Sequence, residues 1–151
     1  TLDEAQQKRL KIATAESCTG GLIAGLLTEI PGSSATVERG FIVYSNKAKE
    51  EMLGVPGDLI ADMGAVSEPV VRAMAEGALE ESRANLAVAV TGVAGPGGGT
   101  ALKPVGLVHL AVARENKPIY HQAMRFGEIG RDRIRRETVA TALEMLRKMM
   151  A

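Results

Sequence analysis

The chain has 151 residues, 46% hydrophobic and 24% charged, the balance of one ordinary globular domain long enough to bury a core. Lysine plus arginine and aspartate plus glutamate tie at 18 each, so no global field draws in a polyanion or an anionic membrane; with no tryptophan and only Phe41, Tyr44, Tyr120 and Phe126 as aromatics, a stacking platform for single-stranded nucleic acid is excluded. The lone cysteine, Cys18, forbids an internal disulfide, His109 and His121 beside it do not make up a metal site, and no apolar run of ~18 residues or signal peptide is read, which makes a reducing cytoplasm the expected location.

In chain order, residues 2–10 read as a short polar helix and Lys11 to Ala15 as a brief buried strand. From Gly21 the run LIAGLLTEI has helical spacing, with apolar positions too dense for an exposed surface, and Pro31-Gly32-Ser33-Ser34 stops it by turn chemistry. Residues 40–45, GFIVYS, have strand composition. Asn46 can cap the helix NKAKEEML, which Gly54 ends, and a second short helix is expected over Gly57 to Met63. SEPVVRAMAEGALEESR has a strong helix start, with Ser67 as N-cap and Glu68 and Pro69 in the first turn.

The most apolar strand, LAVAVT at 86–91, reads as a central one covered from both sides. The glycine-rich loop TGVAGPGGGT follows it. VGLVHLAVARE and KPIYHQAMRF form a hairpin around Glu115-Asn116, and a last helix runs from about Gly130 to Met150, basic at its start. Alternation of strands and helices followed by a hairpin predicts an α/β fold with a mixed sheet, parallel first and antiparallel late, and helices on both faces.

Parallel strands bring their carboxyl ends to one edge, where ligands bind in open α/β sheets. Here three such ends carry unusual chemistry: Glu16-Ser17-Cys18-Thr19-Gly20-Gly21; Tyr44-Ser45-Asn46 with Lys47 and Lys49; and Thr91-Gly92 with the loop to Gly99. The glycines after Ser17 allow amides at a helix start to point at an anion, either a phosphate or the oxyanion of acyl transfer. Ser17 then stands as a nucleophile beside its oxyanion donors, although the pattern A-E-S-C-T is not the G-x-S-x-G elbow. A serine needs a base. Both histidines fall inside predicted strands away from these loops, so Lys49 is the candidate, with its pKa lowered by desolvation, and Tyr44 relays the proton or holds the lysine.

Plainer readings stand beside these. Ser17 can be an N-cap, Cys18 a small buried hydrophobe, Tyr44 a groove filler and Lys49 a solvated lysine paired with a nearby glutamate. The loop Gly95–Gly99 contains neither phosphate-binding signature and can be a plain connection. The run RDRIRR can be a charged helix start or supply a phosphate ligand through Arg131 or Arg135.

Four blocks in order, AESCTGGLIAGLLTEIPGSS, GFIVYSNKAKEEMLGV, GAVSEPVVRAMAEGA and AVTGVAGPGGGTALKPVG, resemble the CinA C-terminal domain family over residues 13–149. The chain is similar to its stand-alone nicotinamide-nucleotide amidases, without the molybdopterin-binding-like domain that precedes this module in longer members. The resemblance implies a three-layer α/β/α sandwich with a mixed, mostly parallel sheet, and a homodimer or larger homo-oligomer. It implies hydrolysis of nicotinamide mononucleotide to nicotinate mononucleotide and ammonia, without cofactor or metal, a salvage step in pyridine nucleotide metabolism.

The family's catalytic serine, tyrosine and lysine match Ser17, Tyr44 and Lys49. The implied mechanism has Thr19, Gly20 and Gly21 at the oxyanion or substrate, and Gly95, Gly97, Gly98 and Arg131 around the ribose phosphate. The alternatives are an amidase for another small substrate and a non-catalytic nucleotide-binding module that regulates a partner.

Overall fold

The strands richest in apolar residues lie at the centre of the sheet. In the computed structural model, which describes residues 2–151, β1 (Ile12–Glu16) is buried at every position and β3 (Leu86–Gly92) at all but its last. Such strands need cover on both faces. They pair in parallel, Ile12 opposite Leu86 and Glu16 opposite Val90. β2 (Val37–Ile42) pairs in parallel on the other flank of β1. β4 (Leu107–Arg114) and β5 (Tyr120–Arg125) continue from β3 as an antiparallel hairpin, turned at Asn116, whose φ is 63°. The order is β2-β1-β3-β4-β5. Four of the five strands run in the same direction, since β4 alone reverses.

Alternation along the strands sorts the two faces. Ile12, Leu86, Val88 and Val90 pack with α1 (Leu2–Gln7), α2 (Leu22–Thr28) and α6 (Arg131–Met150). Ala13, Ala15, Ala87 and Ala89 pack with α3 (Asn46–Leu53), α4 (Gly57–Met63) and α5 (Glu68–Glu80). This is the expected three-layer α/β/α arrangement. The alanine face lets helices come close, and α5 carries a glycine where it meets α3: a Cβ on Gly77 would overlap the Leu53 carbonyl. Among the described residues no helix is long and apolar enough to cross a membrane.

Several expected boundaries move. β1 spans Ile12–Glu16, one residue later than read. The first helix stops at Gln7 rather than Leu10, because Arg9 turns left-handed at φ 56°. β2 occupies Val37–Ile42 instead of residues 40–45: as an edge strand it tolerates the polar Glu38 and Arg39, and the chain leaves the ladder once the Val43 amide has bonded the Glu16 carbonyl at 2.9 Å.

Ser45, not Asn46, is the N-cap of α3. Its hydroxyl accepts from the Ala48 amide, and Asn46 is the first helical residue. Ser67 stands at the N-cap of α5, but its hydroxyl donates back to the Gly64 carbonyl instead of capping. The apolar residues of α2 are not all covered: Leu22, Leu26 and the following Ile30 are exposed, because α2 lies at the outer end of its layer.

Candidate active site

The turn between β1 and α2 reverses the chain in five residues, and Gly20 and Gly21 supply its left-handed steps at φ 58° and 107°. Glu16, the last residue of β1, locks this turn. Its carboxylate is fully buried. Oε1 accepts from the Thr19 hydroxyl at 2.6 Å and the Ile23 amide at 2.8 Å, and Oε2 accepts from the Ala24 amide at 3.0 Å. A negative charge therefore already fills the N-terminus of α2, where the dipole favours it.

The Ile23 and Ala24 amides of this helix start are therefore taken and do not face a substrate anion. The Gly20 amide is also engaged, donating to the Ser17 carbonyl at 3.1 Å. The Thr19 amide makes no hydrogen bond among the described residues, and the Thr19 carbonyl accepts from Arg135 Nη2 at 3.2 Å.

Locking the turn fixes Ser17 at the mouth of the sheet, and α3 brings Lys49 to it. Lys49 is 1% exposed. Its Nζ lies 3.1 Å from Ser17 Oγ, 3.1 Å from the Val43 carbonyl and 3.2 Å from the Tyr44 carbonyl. An ammonium can donate to all three. A neutral amine keeps two N–H donors and one lone pair; with the two carbonyls taking the donors, the lone pair is left for the serine hydroxyl. Burial holds Lys49 below the ordinary lysine range, with the nearby Cys18 opposing weakly. The Cys18 thiol is itself pushed up to about 11 by burial, so it stays protonated and inert at neutral pH.

Of the two roles expected of Tyr44, relaying the proton or holding the lysine, the structure shows a contact of the second kind. Its carbonyl holds Lys49, while its phenol, on a side chain 62% exposed, accepts from Arg131 Nη2 at 3.2 Å. Arg131 Nη1 donates to the Gly95 carbonyl at 2.8 Å, tying the start of α6 to the glycine-rich loop.

A cavity of about 190 Å³ opens here, lined by Ser17, Tyr44, Asn46, Lys49, Thr91 and Arg131 among others. The structure thus gathers Ser17, Tyr44, Lys49 and Arg131. Thr19 and Gly20 lie behind Ser17, and Gly95 touches the site through Arg131. Gly21 lines a different groove, between α2 and α6, and Gly97 and Gly98 line no part of the cavity. The histidines stay apart from it: His109 and His121, with Nδ1 and Nε2 at 3.0 Å, stack on the α5 face of β4 and β5.

Glu16 and Asn46, noted at their strand ends, take roles the sequence reading did not assign, and Ala65 and Val66 were not singled out by it. Glu16 caps a helix that begins six residues later, beyond the reach of a local cap signature. Asn46 lines the cavity instead of capping. Ala65 and Val66, between α4 and α5, form a further wall, with the Ala65 carbonyl accepting from Thr91 Oγ1 at 3.0 Å; a loop between two helices carries no strand-end signal.

The sequence matches the CinA C-terminal domain over residues 1–150. A CinA-like protein of Akkermansia muciniphila is 64% identical over 107 residues, which is 71% of this chain and 26% of that protein. A CinA-like protein of Anaeromyxobacter sp. (strain K) is 52% identical over 138 residues, 91% of this chain and 33% of that protein. The chain spans about a quarter to a third of the length of these relatives.

Among solved structures, the competence/damage inducible protein CihA from Agrobacterium tumefaciens is similar at a TM-score of 0.98 and 57% identity, with 99% of this chain and 91% of that one covered. A competence-damaged protein (CinA) superfamily protein from Klebsiella pneumoniae is similar at a TM-score of 0.92 and 32% identity, with 98% and 91% covered. A match along nearly the whole chain, in sequence and in backbone alike, means that the chain belongs to the CinA C-terminal domain family.

Proposed function

We propose that this chain is an amidohydrolase that converts nicotinamide mononucleotide to nicotinate mononucleotide and ammonia, with Ser17 as nucleophile and Lys49 as its base. The observation that carries the reading is the buried Lys49 amine 3.1 Å from Ser17 Oγ, its two other contacts being carbonyls. A surface lysine or a plain helix cap has no use for that arrangement.

Ser17 Oγ attacks the carboxamide carbon as its proton passes to Lys49 Nζ. The tetrahedral oxyanion draws on amides of the turn that make no hydrogen bond among the described residues, those of Cys18 and Thr19, in place of the Thr19–Gly20 pair expected from sequence. Collapse expels the amide nitrogen, which takes the proton from Lys49 and leaves as ammonia. Water then attacks the acyl ester, again giving its proton to Lys49, and Ser17 is released with its hydroxyl restored.

A cavity of about 190 Å³ suits a small planar acyl group and leaves the sugar and phosphate outside. Arg131, at the rim against the Tyr44 phenol, would meet the phosphate in this reading, and Tyr44 would cover the ring. Substitution of Ser17 by alanine should remove ammonia release from nicotinamide mononucleotide while the fold, read by circular dichroism, persists. Turnover retained in Ser17→Ala rejects the nucleophile. Ligand binding without product in the unaltered chain rejects the enzyme reading in favour of a nucleotide-binding module.

A further inference from the structure

Val66 lines two cavities. One holds Ser17 and Lys49; the other is a groove of about 610 Å³ between the start of α5, the strands β4 and β5 and the loop after β3. Met63, Val66, Pro69, Leu102 and Leu107 give that groove an apolar lining, and Leu102 is 86% exposed. A groove of this size, apolar with a few polar groups, is built as small-molecule sites are.

The charged groups are mostly of one sign. Arg72 on α5, Lys103 on the loop and Arg125 on β5 line the groove with a single carboxylate, Glu68. The chain as a whole balances 18 cations against 18 carboxylates, so the excess here is local. Glu68 is already taken by Arg72, whose Nε donates to it at 2.8 Å. Lys103 Nζ donates to the Met63 carbonyl at 2.6 Å, which fixes the ammonium without neutralising it. Arg125 has no ion-pair partner among the described residues. The start of α5, a helix of 13 residues, adds to the same sign: Ser67 at its N-cap turns its hydroxyl to the Gly64 carbonyl, and the Glu68 and Val70 amides make no hydrogen bond among the described residues. His109, which also lines the groove, feels this field. Burial and the His121 ring are the larger causes that hold it below the ordinary histidine value, Glu68 opposes them, and Lys103 and Arg125 push it further down.

We propose that this groove is a binding site for a small organic phosphate that is not the substrate of Ser17. The phosphate is held by Arg125, Lys103 and the bare start of α5, where charge-assisted donors and a helix dipole converge. The carbon skeleton covers Leu102 and Leu107. A cationic ligand is repelled, and a neutral one leaves the cations without a counter-charge. The proposal stands apart from the reaction proposed for Ser17, because none of these cations lines the catalytic cavity.

The test titrates the chain with phenyl phosphate and with inorganic phosphate and follows the ring protons of its two histidines by proton NMR. Phenyl phosphate should shift the His109 signals to saturation and move proton uptake by the pair to higher pH, because a bound anion offsets Lys103 and Arg125. It should bind at least about tenfold more tightly than inorganic phosphate, since it alone covers the apolar lining. Arg125→Glu, on an edge strand, should weaken it at least about tenfold, and Lys148→Glu, the same change of charge in the last turn of α6, should leave it unaltered. Nicotinamide mononucleotide added to Ser17→Ala should not displace it. No saturable shift up to about 10 mM, equal affinity for the two probes, or equal effects of Arg125→Glu and Lys148→Glu overturn the proposal. Displacement by nicotinamide mononucleotide overturns it too, by joining the groove to the substrate site.

Discussion

An ammonium withdrawn from water loses solvation that two carbonyls and a hydroxyl only partly return. In the proposed reaction that imbalance is what would let Lys49 serve as a base, and it has a signature in stability. The folded pKa of Lys49 lies below the unfolded value of 10.5, so between the two values the unfolded chain binds a proton that the folded chain does not, and stability rises with pH across that window. Urea melts taken as the pH is raised towards 10.5 should show the unaltered chain gaining stability relative to Lys49→Met, whose turnover falls about a thousandfold. A parallel pH course for the two proteins would contradict the buried-amine account.

Glu16 is the other decisive side chain at this scale. Alanine there strands two α2 amides and the Thr19 hydroxyl and frees the turn that carries Ser17. Glu16→Ala should lose about 2–4 kcal/mol in a urea melt together with most turnover, and Glu16→Gln, which keeps an acceptor oxygen, should lose less of both. Equal stability of the alanine variant would remove Glu16 from its role. Ser17 and Lys49 were legible in sequence because each sits at a fixed distance past a strand end. Glu16 was noted at its strand end, but its role was not legible, because its partners come from a helix it reaches only after the chain has turned back. Nor was the direction of the Tyr44 phenol, which depends on Arg131, 87 residues away.

Elements were easiest to read where local chemistry and burial agree. The glycine stop after α3, the helix start at Glu68 and Pro69, and the hairpin turned at Asn116 all follow from short-range rules. The frame of β2 did not, because an edge strand is specified by pairing with β1 more than by its own apolarity. The apolar richness of α2 was misread as burial for a related reason: composition reports that a surface needs cover, but not whether the same chain provides it.

β4, β5 and α5 together yield a prediction of their own. His109 and His121 are both held below the ordinary histidine value, in each case by burial first; the charge of the other ring adds to this at His109, while Glu68 opposes the shift at both. Arg72 on α5 acts with the burial at His121, and Lys103 and Arg125 act with it at His109. Below pH 6.5 the unfolded chain takes up protons that this pair refuses, so stability falls as the pH drops through that value. Thermal melts between about pH 7 and 5 should show that slope, and His109→Gln should flatten it; an unchanged slope would show that the pair does not titrate as described.

Across the whole molecule, the sheet does the positioning. Parallel β1 and β3 end side by side, and β2 lies next to β1, so the chain after each of these three strands meets at one edge. α6 crosses back to place Arg131 over that edge. The convergence of the three strand ends followed from strand–helix alternation; the position of Arg131 did not. What the alternation could not supply is which of the convergent groups touch: the serine meets the lysine directly, the tyrosine meets the arginine, and most of the glycine-rich loop stays outside the cavity.

The decisive measurement is the intact mass of the chain, quenched in acid during turnover of nicotinamide mononucleotide and followed by peptide mapping. An ester of nicotinate mononucleotide on the peptide that contains Ser17, formed by the unaltered chain and absent from Ser17→Ala, is the predicted result. Steady ammonia release with no acyl group captured at any quench time, or an acyl group on a residue other than Ser17, would contradict it.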